Sequence, residues 1–432
     1  MLDVTSNQSG GVQSVALPKK KGLFYGWWIA ISAAALRFFS GGCFYYGFSV
    51  FFNPIRDTFN WSAADTSVAF TLRGLETGLF SPVVGAMADR FAPRKLMVAG
   101  WTIIGLGFIL MSRINSLWSF YASFVFVALG SSLGTGLVMN TTLANWFTKK
   151  RSRALAIGFI GPGASGLLAP LLAFSLGEVG WRHTLVYMGF ASLIVGIPLS
   201  LMFRDRPQNY GYLPDGESTP AAGQANHTPA TPVAGFTARE AVRTRSFWMI
   251  SLAQLFQQMG TSAVAVHIVP YLESVGVPTA IAALSVTGMT VFSLVGRLGF
   301  GVFGDFANKR LLIAASIALQ TVGLILFAFI TKDAMWLLLL FLLTYGPGFG
   351  GPIPLWPGLQ ADFFGTKSFG TIMGLLTLTS VVGGLASPIV AGWIFDVTGT
   401  YRLAWEISVF VALPAIPLLL LNRPPKPKLS ET

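Results

Sequence analysis

One cysteine, Cys43, is present in the whole chain, which excludes an internal disulfide and any cysteine-rich metal site. Three histidines lie far apart in the sequence, so a zinc enzyme is not expected. Charge is also scarce: 11% of the 432 residues are Asp, Glu, Lys or Arg, less than half the usual quarter. A soluble fold of this size cannot cover its surface with so few polar side chains. The Gly-Lys-Ser/Thr phosphate cradle is missing, so direct ATP drive is not expected. No short apolar segment runs into a small-residue cleavage site, so a cleaved signal peptide is not expected either. What fills the chain instead is 53% hydrophobic residues, with 48 Gly and 36 Phe. Glycine lets membrane helices approach closely and Phe meets lipid, so the chain reads as an integral membrane protein.

Its apolar runs are long enough to cross a hydrocarbon core of about 30 Å. Six fall at 23–52, 62–86, 96–112, 118–147, 154–176 and 183–203. Six more fall at 247–272, 279–304, 311–331, 334–361, 369–392 and 402–421. The implied organisation is a polar tail over 1–21, a six-helix bundle over 22–203 and a polar linker over 204–245. A second bundle over 246–421 and a tail over 422–432 follow, with a short helix expected from Thr237 to Arg245 in the linker.

If successive spans alternate sides, most of the 29 Lys and Arg fall on the side of the N-terminus, in clusters such as Lys19 to Lys21 and Lys149 to Arg153. The opposite side holds Arg56, Arg113, Arg182, Lys332 and Arg402. This bias places both termini in the cytoplasm of a plasma-membrane protein. It also explains the net charge of +12 through anionic lipid rather than nucleic acid.

The two halves repeat each other. Gly85-Ala-Met-Ala-Asp89 returns as Gly301-Val-Phe-Gly-Asp305, Ala144-Asn-Trp-Phe147 as Ala361-Asp-Phe-Phe364, and Gly166-Leu-Leu-Ala-Pro170 as Gly384-Leu-Ala-Ser-Pro388. A constant offset of roughly 217 residues across three elements marks structural copies, as in carriers whose halves rock about a central site.

Gly85-x-x-x-Asp89-Arg90-x-x-Pro93-Arg94-Lys95 resembles the loop signature of the major facilitator superfamily, and Gly301, Asp305, Lys309 and Arg310 repeat it. Within that superfamily the chain resembles the monocarboxylate porters and the oxalate/formate exchangers. The likeness is carried by Gly26-Trp27-Trp28, the run Phe44 to Phe52, Trp146-Phe147-x-Lys149-Lys150-Arg151 and Gly296-Arg297-x-x-x-Gly301-x-x-x-Asp305. The resemblance implies an all-α membrane protein with twelve transmembrane helices in two six-helix bundles related by a pseudo-two-fold axis. It implies that Arg297 faces a central cavity and holds a substrate carboxylate. It also implies that the two aspartate loops form a conformational latch, closed in the outward-open form and broken on inward opening. Three positions depart from the pattern. Tyr46 stands where proton-linked animal porters carry a first-span lysine, and Ser293 stands where they carry an aspartate. Leu375 to Val382 lacks the lysine of the oxalate exchangers.

A charged side chain at a membrane helix centre costs about 2.5–3.5 kcal/mol on insertion scales, so those within spans need a reason to be there. Arg297 lies deep in its span, and a guanidinium grips a carboxylate through two parallel hydrogen bonds. The competing reading is an ion pair with the Asp305 region. Arg37 sits mid-span with nothing acidic within one turn; it can serve substrate or pair with Glu76 of the next span. Arg73 and Glu76, at i, i+3 spacing, can neutralise each other. His267, ahead of Pro270, can pass a proton or simply hydrogen-bond. Gln257 and Tyr345 are further candidates for the pathway, with Asn140 and Tyr46, against core packing as the alternative. Tyr345 and Trp356 belong to a tenth span with four prolines and five glycines, expected to be broken, whereas the fourth-span equivalent Gly130 to Gly136 is milder.

The expected function is secondary transport of a small organic anion, a monocarboxylate on the strength of one cationic anchor. Symport or antiport would drive it, with Glu76, His267 and Glu406 as proton-coupling candidates. The alternatives are an exporter of lipophilic compounds and a transport-inactive sensor. No enzyme activity, metal or cofactor is expected, and a monomer in lipid is.

Overall fold

The computed structural model describes residues 23–216 and 235–425, and of some helix residues, Tyr46 and Arg73 among them, the backbone alone. Nine helical stretches among the described residues are long and apolar enough to cross a membrane. Three more spans complete the two sets of six, and each misses that threshold for a physical reason. The second, Ala63–Arg90, carries Arg73 and Glu76; the seventh, Arg245–Ser274, carries three glutamines and His267. The fifth is broken into Arg151–Gly158, Ile160–Ala164 and a 3-10 turn, Ser165–Leu168, before helix resumes at Ala169. Gly180, at φ 75° and ψ 168°, then turns the chain into the sixth span, which ends at Leu201. Only glycine adopts that backbone without strain. The first span runs further than expected. Tyr25–Ser40 passes through a π-helical turn, Gly41–Tyr46, into Gly47–Phe59.

Each bundle has its own core. Trp101, Phe120, Phe124, Trp146 and Phe147 fill the first, whereas Tyr271, Phe327, Phe341 and Trp405 fill one end of the second. Phe247, Phe363 and Phe364 fill its other end, which shares a side with the basic loops and is called the basic end below. The linker is fastened to both bundles there. Asp215 accepts the backbone N–H groups of Thr148, Lys149 and Lys150 at 2.9, 2.8 and 3.0 Å. On the other side, Phe236 N–H bonds the Phe364 carbonyl at 2.8 Å. The expected linker helix is Ala238–Val242, started by a reciprocal Thr237/Glu240 cap.

The bundles meet along the second and eleventh spans. Gly85 lies so close to the Gly370 carbonyl, and Gly374 to that of Ser81, that a Cβ at either would clash with backbone. Small residues permit this approach, and in lipid the association rests on van der Waals contact.

Breaks in the fourth and tenth spans differ from expectation. The tenth, Trp336–Gly350 and Pro352–Phe364, keeps helical angles at the joining residue, Gly351 (φ −56°, ψ −47°). At the joint the helical ladder persists, Gly351 N–H reaching the Pro347 carbonyl at 2.8 Å. The fourth is the one that breaks. Thr135, at φ −134° and ψ −138°, separates Leu117–Gly134 from Gly136–Trp146, and Gly136 has φ 34°. The two joints are nonetheless equivalent, set apart by roughly the same 217 residues as the sequence repeats.

Candidate functional site

The broken fourth span positions the first of two buried guanidinium groups. With the helix interrupted at Thr135, the Gly136 carbonyl turns toward the first span and accepts from Arg37 Nη2 at 3.3 Å. One helical turn on, Asn140 Oδ1 accepts from the same nitrogen at 2.7 Å. Arg37 is 5% exposed and Asn140 3%. The Arg37 plane lies over the Phe159 ring, with Cζ 4.1 Å from the centroid. Nη1 of Arg37, buried on that side, has no hydrogen-bond partner. Gly158 makes the room, since a Cβ there would stand 3.0 Å from Nη1.

From the other bundle, Arg297 of the eighth span, Thr279–Phe303, reaches the same residue. Its Nη1 donates to the Phe159 carbonyl at 2.9 Å, and it is 8% exposed. Phe159 occupies the joint between two helical pieces of the fifth span, at φ −91° and ψ 1°. Arg37 and Arg297 therefore meet on one residue, from opposite bundles. The sequence singles out both arginines and the glycine-rich stretch that ends at Gly136, but neither Phe159 nor the role of the Gly136 carbonyl is visible there. The signal for Phe159 is glycine and proline around a lone aromatic in Gly158-Phe-Ile-Gly-Pro-Gly163.

The remaining candidates spread out. Arg37 does not take Glu76 as its partner; Asn140, the Gly136 carbonyl and the Phe159 ring serve it instead. Glu76 is buried in the first bundle, where its Oε2 accepts from Ser132 at 3.1 Å. Gln257 accepts from Trp356 Nε1 at 2.7 Å, which pins the seventh span to the tenth. Tyr345 packs between Phe341 and Phe349 in the second core, its hydroxyl 3.4 Å from the Thr261 carbonyl. His267 has both ring nitrogens engaged, Nε2 with the Pro388 carbonyl at 3.0 Å and Nδ1 with the Tyr401 hydroxyl at 3.3 Å. Glu406 lies on the surface beside Arg402, at 3.1 Å. The side chain of Tyr46 falls outside the described residues.

The aspartate loops form a reciprocal set at the basic end. Asp89 of the first bundle accepts the N–H groups of Gly370 and Thr371, both at 2.8 Å, and the Thr371 hydroxyl at 2.7 Å. Asp305 of the second accepts the N–H groups of Ser152 and Arg153 at 2.9 and 3.3 Å. Each carboxylate thus satisfies the open N–H groups that begin a helix of the opposite bundle. Arg153 adds an ion pair to Asp305 at 3.2 Å, and Arg151 one to Asp362 at 3.1 Å. Burial pushes the Asp305 carboxyl above its usual range, against the opposing pull of these bonds and of Arg153. Lys309 instead bonds Asp362 of its own bundle at 2.7 Å, and Arg310 bonds Asn308 and the Asn422 carbonyl. Arg90, Arg94 and Lys95 make none of these cross-bundle bonds, because the helix starts supply the donors.

The family model of the Major Facilitator Superfamily matches residues 33–383 and 250–432. The chain belongs to that superfamily. Among its relatives are monocarboxylate transporter 12 of Mus musculus, 25% identical over 84% of this chain and 79% of that one. The oxalate:formate antiporter of Oxalobacter formigenes is 25% identical over 89% of this chain and 91% of its own. A bacterial homologue of the iron transporter ferroportin, in an outward-facing state, shares the fold with a TM-score of 0.70 at 15% identity, over 92% of this chain and 99% of that one. The E. coli fucose:proton symporter shares it with a TM-score of 0.69 at 13% identity, over 91% and 98% of the two chains. This member of the superfamily is therefore a multi-pass membrane transporter, and its relatives carry small organic anions by name.

Proposed function

We propose that the chain moves a small carboxylate across the membrane by alternating access, holding it between Arg297 of one bundle and Arg37 of the other. One observation carries this reading: two buried guanidinium groups from opposite bundles converge on Phe159. A buried charge retained at such cost suits an anion, and the arginine fork suits a carboxylate. Placement between the bundles suits a carrier, since rocking them alters access to that point. The names of the relatives point to the same class of cargo.

The monocarboxylate expectation rested on a single cationic anchor. With Arg37 beside Arg297, mono- and dicarboxylates both become candidates. The basic end faces the cytoplasm of a plasma membrane, as the distribution of Lys and Arg favours. Of the proton-coupling candidates, Glu76 is the best supported, being the buried carboxylate among them.

The test is uptake of radiolabelled pyruvate, formate and oxalate into proteoliposomes. Arg297→Gln removes a charge-assisted bond of about 1.5–3 kcal/mol, so kcat/KM should fall by roughly 10- to 150-fold. Normal uptake by that variant refutes the reading. An inward-directed proton gradient separates symport, which it accelerates, from exchange, which it leaves unchanged.

A further inference from the structure

Phe159 offers each arginine a different part of itself. Its ring face, the negative end of an aromatic quadrupole, lies against Arg37 at 4.1 Å, and its carbonyl takes the Arg297 Nη1 proton at 2.9 Å. Both contacts are ones that an anion's oxygen atoms would otherwise make. Phe159 stands at the joint between the helix that ends at Gly158 and the one that begins at Ile160, and its carbonyl accepts from Arg297 there. Gly158 and Gly163 flank it, leaving space for Arg37 on one side and Arg297 on the other.

A carrier that returns without cargo must close its two bundles over both guanidinium groups. Bringing two like charges together in a closed, poorly hydrated seam is costly unless each has a partner. Arg37 is held by Asn140 and Gly136 on one side only; on the side of Nη1 its neighbour is the Phe159 ring. On the reading that the anion is held at these arginines, we propose that Phe159 is an internal stand-in for the substrate. It covers both cations when no anion does, and it yields to an arriving carboxylate. The residue thereby permits the return of the unloaded carrier, so this protein performs net transport and is not confined to exchange. Phe159 is in this sense a positioning residue, acting through the two arginines.

The place of Phe159 also connects the site to the basic end. The helix Arg151–Gly158 is followed directly by this residue, and its first turn holds the Ser152 and Arg153 N–H groups that Asp305 accepts. Displacing Phe159 therefore shifts the far end of the segment whose near end is latched.

The experiment uses the full chain in proteoliposomes, with labelled pyruvate and labelled oxalate as probes. For each probe, net uptake into vesicles free of internal acid is compared with exchange into vesicles loaded with the same unlabelled acid. Phe159→Leu keeps an apolar side chain of similar size but removes the π face. It should lower the ratio of net uptake to exchange by about tenfold, within what a desolvated cation–π contact supplies. Phe159→Tyr keeps the ring and should keep the ratio. An unchanged ratio in the leucine variant overturns the proposal, whatever its absolute rates. So does a wild-type protein that exchanges but shows no net uptake. Where the leucine variant transports nothing, thermal unfolding of the purified protein decides. The rise in Tm caused by saturating pyruvate or oxalate should be larger in Phe159→Leu than in wild type, because only the unliganded form loses a partner. An equal or smaller rise overturns the proposal. Arg297→Gln separates the two ideas. It disables both modes if the anion site is right, and transports normally if that reading fails, irrespective of Phe159.

Discussion

Arg37 and Arg297 show what a membrane interior demands of a charged residue. Each is met by its surroundings: the Gly136 carbonyl, just past the break in the fourth span, and Asn140 one turn on accept from Arg37, and the Phe159 carbonyl accepts from Arg297. Removing Asn140 tests that account. Asn140→Ala leaves a buried donor of Arg37 unmet, which costs about 1–3 kcal/mol. The purified variant should melt at a lower temperature, and a double variant with Arg37→Met should recover part of the loss. Equal melting of Asn140→Ala and wild type would show that Arg37 does not depend on this amide. The two arginines were legible because a lone cation in an apolar run is conspicuous in any sequence. Their companions were not, since a phenylalanine or a glycine in a membrane helix looks like every other. Glu76 was wrongly offered to Arg37 for a related reason. Proximity along neighbouring spans does not reveal which helix turns its carbonyl inward.

At the level of elements, the existence of the spans follows hydropathy, although the first runs on to Phe59, past the expected end. Helix continuity was harder to judge. Prolines in the tenth span suggested disruption, yet its backbone stays helical through Gly351, where the bond from Gly351 N–H to the Pro347 carbonyl survives. In the fourth span the disruption depends on Gly136 at positive φ, which composition does not display. The second and eleventh spans give the next prediction. A side chain at Gly85 would collide with the Gly370 carbonyl. Gly85→Val should therefore prevent the basic end from closing. With Ser152→Cys as reporter in a Cys43→Ser background, a membrane-impermeant thiol reagent applied from the basic side should label the valine variant faster. Unaltered labelling would mean that this contact does not govern closure.

Over the whole molecule, the linker does more than join the halves. Asp215 gathers three N–H groups just ahead of the helix that Asp305 and Asp362 engage, so it arranges the segment on which cross-bundle bonds converge. Capping contacts of this kind are worth about 0.5–2 kcal/mol. Asp215→Ala should loosen the segment, and the Ser152→Cys reporter should be labelled several times faster at the basic end. No change would confine Asp215 to local order. The repeat and the loop motifs made the two-bundle architecture readable from residues alone. The partner of each aspartate was not, since a helix start offers backbone donors that leave no trace in side-chain chemistry.

Each half of the polypeptide contains one of the two carboxylates and one of the two helix starts that receive them: Asp89 with Ser152 and Arg153 in the first, Asp305 with Gly370 and Thr371 in the second. A single ancestral half would thus have been self-complementary, able to clasp an identical copy by giving and receiving the same contact. A two-fold homodimer closes with that geometry and leaves no contact unanswered.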